Sequence, residues 1–246
     1  DVVCNWETFR KQIPTGLNFS LSGIPYWNTD IGGFFNWPYH GGAENKAYHE
    51  LYTRWFQYGT FLPMQRSHGS GVKKEIYNLG KKGDWVYDSE EKYINLRYAL
   101  LPYLYSTGWQ VTDNAGSFLR ALFMDFNEDQ KVHTISNQYM FGKAFLVTPV
   151  TRNMYVFSDK EQWKDPYEDF SKTGTQDVYL PKGTKWFDFW TGEALNGGQL
   201  VTKEVPIDII PLYVRAGSIV PFGPKVQYST EKKWNNLEIR IYPGAD

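Results

Sequence analysis

"GIPYWNTDIGGFF", residues 23–35, is the stretch on which the fold turns. A short apolar run, Ile24 to Trp27, leads to an acid, Asp30, and Gly32, Gly33 and two phenylalanines follow. An apolar run of that length bounded by glycine reads as a buried strand. Asp30 then stands at the strand's C-terminal end. Upstream, Trp6, Phe9 and Ile13 recur three and four apart, which predicts a helix that Pro14 and Gly16 disturb. Downstream the scheme repeats. Residues 47–58 predict a helix with Leu51, Trp55 and Tyr58 on one face, stopped by Gly59, and "TFLPMQRSH" (60–68) predicts a second strand with polar residues at its end.

A longer helix is predicted from Asp88, with Glu91 completing a capping box. Tyr93, Leu96, Leu100, Leu104 and Val111 keep its period, and Pro102 should kink it. Helix and strand thus alternate over 1–113, with polar residues at strand ends. That is the layout of a (β/α) barrel, whose active site lies at the C-terminal rim. Beyond that point the character changes. "SFLRALFMDF", "AFLVTPV", "DVYLP", "TKWFDFWTG", "PLYVRAGSIVP" and "NLEIRIYPG" are short, aromatic and β-branched, punctuated by Pro and Gly turns. This half is expected to be antiparallel β, a sandwich.

Aromatics make up 18% of the 246 residues, enough to fill a core and also to line a carbohydrate site, where a flat ring meets the C–H face of a sugar. The net charge of −1 with no basic run argues against nucleic acid and anionic membranes as partners. No apolar stretch approaches the length of a membrane span. Cys4 is the single cysteine, which rules out an internal disulfide, and it reads as a buried structural thiol. The chain opens on Asp1 and closes on "IRIYPGAD"; both ends read as cut, so a piece of a longer protein is expected.

The histidines at 40, 49, 68 and 133 lack metal-ligand spacing, and there is no HExxH, P-loop, GxGxxG or GxSxG motif. No metal or cofactor is implied. The candidates that remain are carboxylates and their neighbours. Asp30 is followed by glycines that let a backbone approach a ligand closely, although the local pattern fits a turn or helix cap as well. Arg66 and His68 sit two apart on a predicted strand and share a face, either as ligands for hydroxyls and carboxylates or as members of a structural ion pair. Asn18-Phe19-Ser20 matches a glycosylation sequon, but its place before an apolar strand argues against use.

The opening segment, residues 1–34, resembles the segment that follows the Trp-x-Gly-Asp signature of glycoside hydrolase family 31. "FLPMQRSHG", "LRYALLPYLYS", "RALFMDF", "YMFGKAFLVTPV", "YLPKGTKWFDFWTGE" and "IPLYVRAGSIVP" keep that family's order along nearly the whole chain. The resemblance implies a retaining α-glycosidase, with 1–113 the C-terminal portion of a (β/α)8 catalytic barrel, 114–225 an antiparallel β-sandwich and 226–246 the start of a distal β domain. Asp1, where the signature ends, would be the general acid/base, and the nucleophile would lie upstream of the chain in the missing N-terminal half. Asp30, from the Asp-x-x-Gly-Phe block, and His68, from the Arg-x-His block, would bind hydroxyls of the sugar in the −1 subsite. Phe34 would line the pocket, Arg66 would stand beside His68, and Trp27 would wall the subsite, as in several α-xylosidases. The implied partner is an oligosaccharide of the xyloglucan type, with α-glucosidase or α-transglucosidase activity as the alternative and a non-catalytic carbohydrate-binding fragment as the alternative of another class. Family habit implies a periplasmic or secreted bacterial enzyme.

Overall fold

The structure, a computed structural model, describes residues 2–244. Helix α1 (Trp6–Leu21) starts at Asn5, whose side chain accepts from Thr8 N at 2.7 Å. It buries Trp6, Phe9, Ile13 and Leu17 and runs through Pro14 and Gly16. The predicted break fails because one missing N–H is outweighed by an apolar face that continues unbroken past it. The sequon lies inside this helix, and Ser20 is buried.

Helix α2 (Lys46–Thr60) is capped by Asn45, which accepts from Ala47 N at 2.9 Å, and nearly every residue in it is buried. Gly59 does not end it. A Cβ at that position would lie 2.6 Å from Ile31 Cδ1, so the glycine serves packing. Helix α3 (Ile76–Leu79) is a single turn. Helix α4 (Trp85–Ala99) begins at Asp84, one turn before the predicted cap. Asp88 lies inside its first turn and accepts from Gly83 N at 3.1 Å, and Glu91 ion-pairs with Lys82. Helix α5 (Leu101–Asn114) is separate from α4, with Leu100 between them. Pro102 sits in its first turn, where no N–H is needed, so it starts a helix and does not kink one.

After α5 come β1 (Leu119–Ala121), helix α6 (Leu122–Asp125), β2 (Tyr139–Phe141), β3 (Phe145–Val147), β4 (Val156–Phe157), β5 (Tyr167–Glu168), β6 (Thr175–Leu180), β7 (Lys185–Asp188), β8 (Ala194–Asn196), β9 (Gln199–Glu204), β10 (Leu212–Arg215), β11 (Ser218–Phe222) and β12 (Glu238–Tyr242). Every ladder is antiparallel. A six-stranded sheet has the order β1-β2-β3-β10-β7-β8, and β6 pairs with β9 in a second layer. The strand β12 pairs with β11, Ile219 opposite Ile241.

The central strands are buried on both faces, and the alternation shows why. Tyr139, Phe141, Phe145, Val147, Leu212 and Val214 share one core with α1, α2 and α5, while Met140, Leu146 and Tyr213 share a second core with Val178 and Leu180 of β6. The six-stranded sheet is therefore the middle of three layers. Polar bonds tie α2 to the loop before β10 and to the start of β4. Arg54 on α2 donates to the carbonyls of Val205, Pro206 and Ile209, Gln57 donates to that of Ile207, and Glu50 accepts from Met154, Tyr155 and Val156 N–H groups.

Candidate active site

The segments predicted as strands at 23–30 and 60–68 form no ladder. Parallel contact occurs further along each. Val3 bridges Phe35, and Phe35 bridges Ser70, both in parallel. Cys4 N donates to Phe35 O at 2.8 Å, Phe34 N to Val2 O at 2.7 Å and Ser70 N to Phe34 O at 2.9 Å. Three stretches distant in sequence thus run side by side in the order 2–4, 33–35 and 68–70.

The glycines after Asp30 are what permits this. Gly32 and Gly33 have φ of +75° and +77°, a region open to glycine and strained for other residues. A Cβ on Gly33 would lie 2.7 Å from Cys4 Cα, and one on Gly32 would lie 2.3 Å from Tyr52 Cδ2. Both glycines thus allow a close approach of protein to protein. Asp30 opens the turn, its carbonyl accepting from Gly33 N at 2.8 Å. Its carboxylate has no hydrogen-bond partner among the described residues and is half-buried, so it caps no helix.

Phe34 and His68 come together with ring centroids 5.4 Å apart. Phe34 also meets Phe35 edge-on at 4.7 Å. Arg66 and His68 are exposed, and neither joins an ion pair among the described residues. Trp27 goes elsewhere. Its indole lies on α1, where a Cβ on Gly16 would be 2.7 Å from Cδ1, and its ring meets Phe19 at 4.8 Å. Asp1 lies outside the described residues. Cys4 is buried beneath the bridge, and burial pushes its thiol up to about 12, which makes it a poor nucleophile.

Sequence reasoning missed Lys74. It is buried, and its Nζ donates to the carbonyls of Ile31 (2.9 Å), Gly33 and His68 (2.9 Å). Burial pulls its amine down to about 8, opposed by the negative charge of Asp30. Tyr52 backs the same region, its hydroxyl 2.6 Å from Ser67 Oγ and donating to Lys74 O at 2.8 Å. Within "GVKKE" nothing marks Lys74 off from Lys73, which is exposed. Only the fold separates them.

Phe34 and His68 thus lie together beside the parallel bridges, and Asp30 opens the turn that leads to them. Family models match both parts of the chain. One described as "Glycosyl hydrolases family 31 TIM-barrel domain" matches residues 1–107, and one described as "Glycosyl hydrolase family 31 C-terminal domain" matches residues 115–220. The chain belongs to glycoside hydrolase family 31. An alpha-xylosidase of Saccharolobus solfataricus is 43% identical over 246 residues, 100% of this chain and 30% of the relative. An isomaltosyltransferase of Sporosarcina globispora is 31% identical over 99% of this chain and 21% of the relative. The crystal structure of an alpha-xylosidase from Xanthomonas citri superposes with a TM-score of 0.87 at 42% identity, covering 100% of this chain and 25% of that one. The chain thus spans about a third or less of the proteins it resembles.

Proposed function

We propose that this chain is the C-terminal portion of a retaining α-glycosidase, an α-xylosidase acting on xyloglucan-type oligosaccharides. In this reading residues 1–113 supply the last strands and helices of a (β/α)8 barrel, 114–225 form the β domain packed beneath it, and 226–246 begin a further β domain. The observation that carries it is the parallel bridging of 2–4, 33–35 and 68–70. Adjacent parallel chain ends are what neighbouring barrel strands present at their C-terminal rim.

Asp30 and His68 hold hydroxyls of the bound sugar, Phe34 walls the pocket, and Arg66 lies beside His68 at its mouth. The burial of Trp27 against α1 supports a bracing role for the 23–30 segment in place of direct sugar contact. Asp1 carries the general acid/base role on its motif position. A retaining mechanism needs a second carboxylate about 5–5.5 Å away as nucleophile, and that group belongs to the part of the enzyme outside this chain. Asp1 would protonate the leaving oxygen while the nucleophile attacks the anomeric carbon, then activate water for the second displacement. The high identity to α-xylosidases supports xylose over glucose. A family α-glucosidase or α-transglucosidase is the second reading, supported by the isomaltosyltransferase relative.

The test compares the chain alone with the complete enzyme on aryl α-xylosides and aryl α-glucosides. The complete enzyme should prefer the xyloside, and the chain alone should turn over neither. Hydrolysis by the isolated chain at the full enzyme's rate would overturn the two-part site, and preference for the glucoside would favour the second reading.

A further inference from the structure

We infer that Lys74 is the positioning residue that sets the distance between the two sugar-binding side chains, Asp30 and His68. The inference rests on the sugar-site reading above. One nitrogen takes the carbonyls of Ile31 and Gly33, which flank the tip of the Asp30 turn, and that of His68 on the neighbouring segment. Ile31 O and His68 O each lie 2.9 Å from it, so they can be no further apart than twice that length. No ladder forms at that level among the described residues, where the bridges lie further along at Phe35 and Ser70. One further backbone bond, Ile31 N to Arg66 O at 3.2 Å, is the long one of the set.

Three acceptors require three N–H donors, and an ammonium has three. The geometry leaves no slack around it. A Cβ on Gly69 would lie 2.7 Å from Lys74 Nζ and 2.9 Å from Phe34 O, so Gly69 is the opening through which the amine reaches its carbonyls. Tyr52 holds the other end of the same residue by its carbonyl. Among the described residues the Asp30 carboxylate is the charged neighbour that favours the ammonium. Lys74 itself touches no sugar. It acts through the backbone that carries the residues which do.

The experiment uses the complete enzyme and an aryl α-xyloside, with rates normalised to folded protein. Lys74→Met keeps the length and removes all donors. It should lower kcat/KM by about a hundred-fold, most of it in kcat, the scale expected when binding groups are misplaced by about 1 Å. Lys74→Arg, which retains several donors, should restore most of the loss. Gly69→Ala, which crowds the amine from the opposite side, should reproduce the Lys74→Met defect, and it decides the matter together with Lys74→Arg where Lys74→Met does not fold. A residue serving the fold alone would lower the melting temperature and leave the kinetics of the folded enzyme unchanged. Parental kcat/KM in folded Lys74→Met or Gly69→Ala overturns the inference. Asp30→Asn runs in parallel: an inactive Asp30→Asn beside normal Lys74 and Gly69 variants sinks the clamp alone, whereas an active Asp30→Asn sinks the sugar-site reading with it.

Discussion

Glu90 offers a sharp test of the packing between α2 and α4. Its side chain is fully buried, its Oε1 is 3.4 Å from Thr53 Oγ1, and its Oε2 has no partner among the described residues. Burial raises its pKa well above the ordinary carboxylate value, with only the Thr53 hydroxyl opposing. No cation offsets the loss of water, so the folded protein keeps Glu90 protonated at a pH where the unfolded chain has released the proton. The sign of the effect follows. Below the unfolded pKa both states are protonated and the full stability is present. As pH rises from there towards the folded pKa, the folded state holds one more proton than the unfolded one, and stability falls by about 1.4 kcal/mol per pH unit.

Glu90→Gln keeps the shape and cannot ionise. At acid pH it should lie within about 1 kcal/mol of the parent, because one neutral polar group replaces another. Above that it should gain on the parent by about 1.4 kcal/mol per pH unit for as long as the folded protein keeps the proton. Urea denaturation followed by tryptophan fluorescence reads both proteins, and subtracting one pH curve from the other cancels every group they share. A difference that stays flat between roughly pH 5 and pH 7 would refute the reasoning, since it would mean that Glu90 is ionised in the fold as it is in the unfolded chain.

Other substitutions probe the remaining contacts. Gly33→Ala combines a φ of +77° with a Cβ 2.7 Å from Cys4 Cα, so it should cost about 1–2 kcal/mol in backbone strain alone and separate the bridged segments. Activity of the complete enzyme should fall far more than its melting temperature, and a near-normal kcat/KM would show that the Cys4–Phe35 contact does not shape the site. Arg54→Met strands the carbonyls of Val205, Pro206 and Ile209 in the interior. It should cost about 3–5 kcal/mol, or roughly 10 °C in melting temperature by calorimetry, and a loss below about 1 kcal/mol would mean that water reaches the seam.

The exposed ribbon of β11 and β12 presents Ile219, Ile239 and Ile241 to solvent. That is consistent with a chain spanning only about a third or less of its relatives, whose remaining mass lies outside the described residues.

Periodicity and local chemistry determined a good deal. The spacing of Trp6, Phe9 and Ile13, the helix of Leu51, Trp55 and Tyr58, and the change to short β-branched runs after residue 115 were all legible, because each depends on neighbours within a turn or a strand. Motif order fixed the family for the same reason, since a motif is a local pattern. Helix boundaries were less legible. Pro14 and Gly59 look like stops in sequence, and only the buried face of α1 and the approach of Ile31 to α2 decide otherwise. That Gly32 and Gly33 make room for Tyr52 and Cys4 was not legible for a related reason: it depends on what lies across from them. Lys74 was invisible. A lysine in a charged run is normally solvated, and this one is buried because segments from three distant parts of the chain converge around its amine and leave three carbonyls that no backbone ladder satisfies.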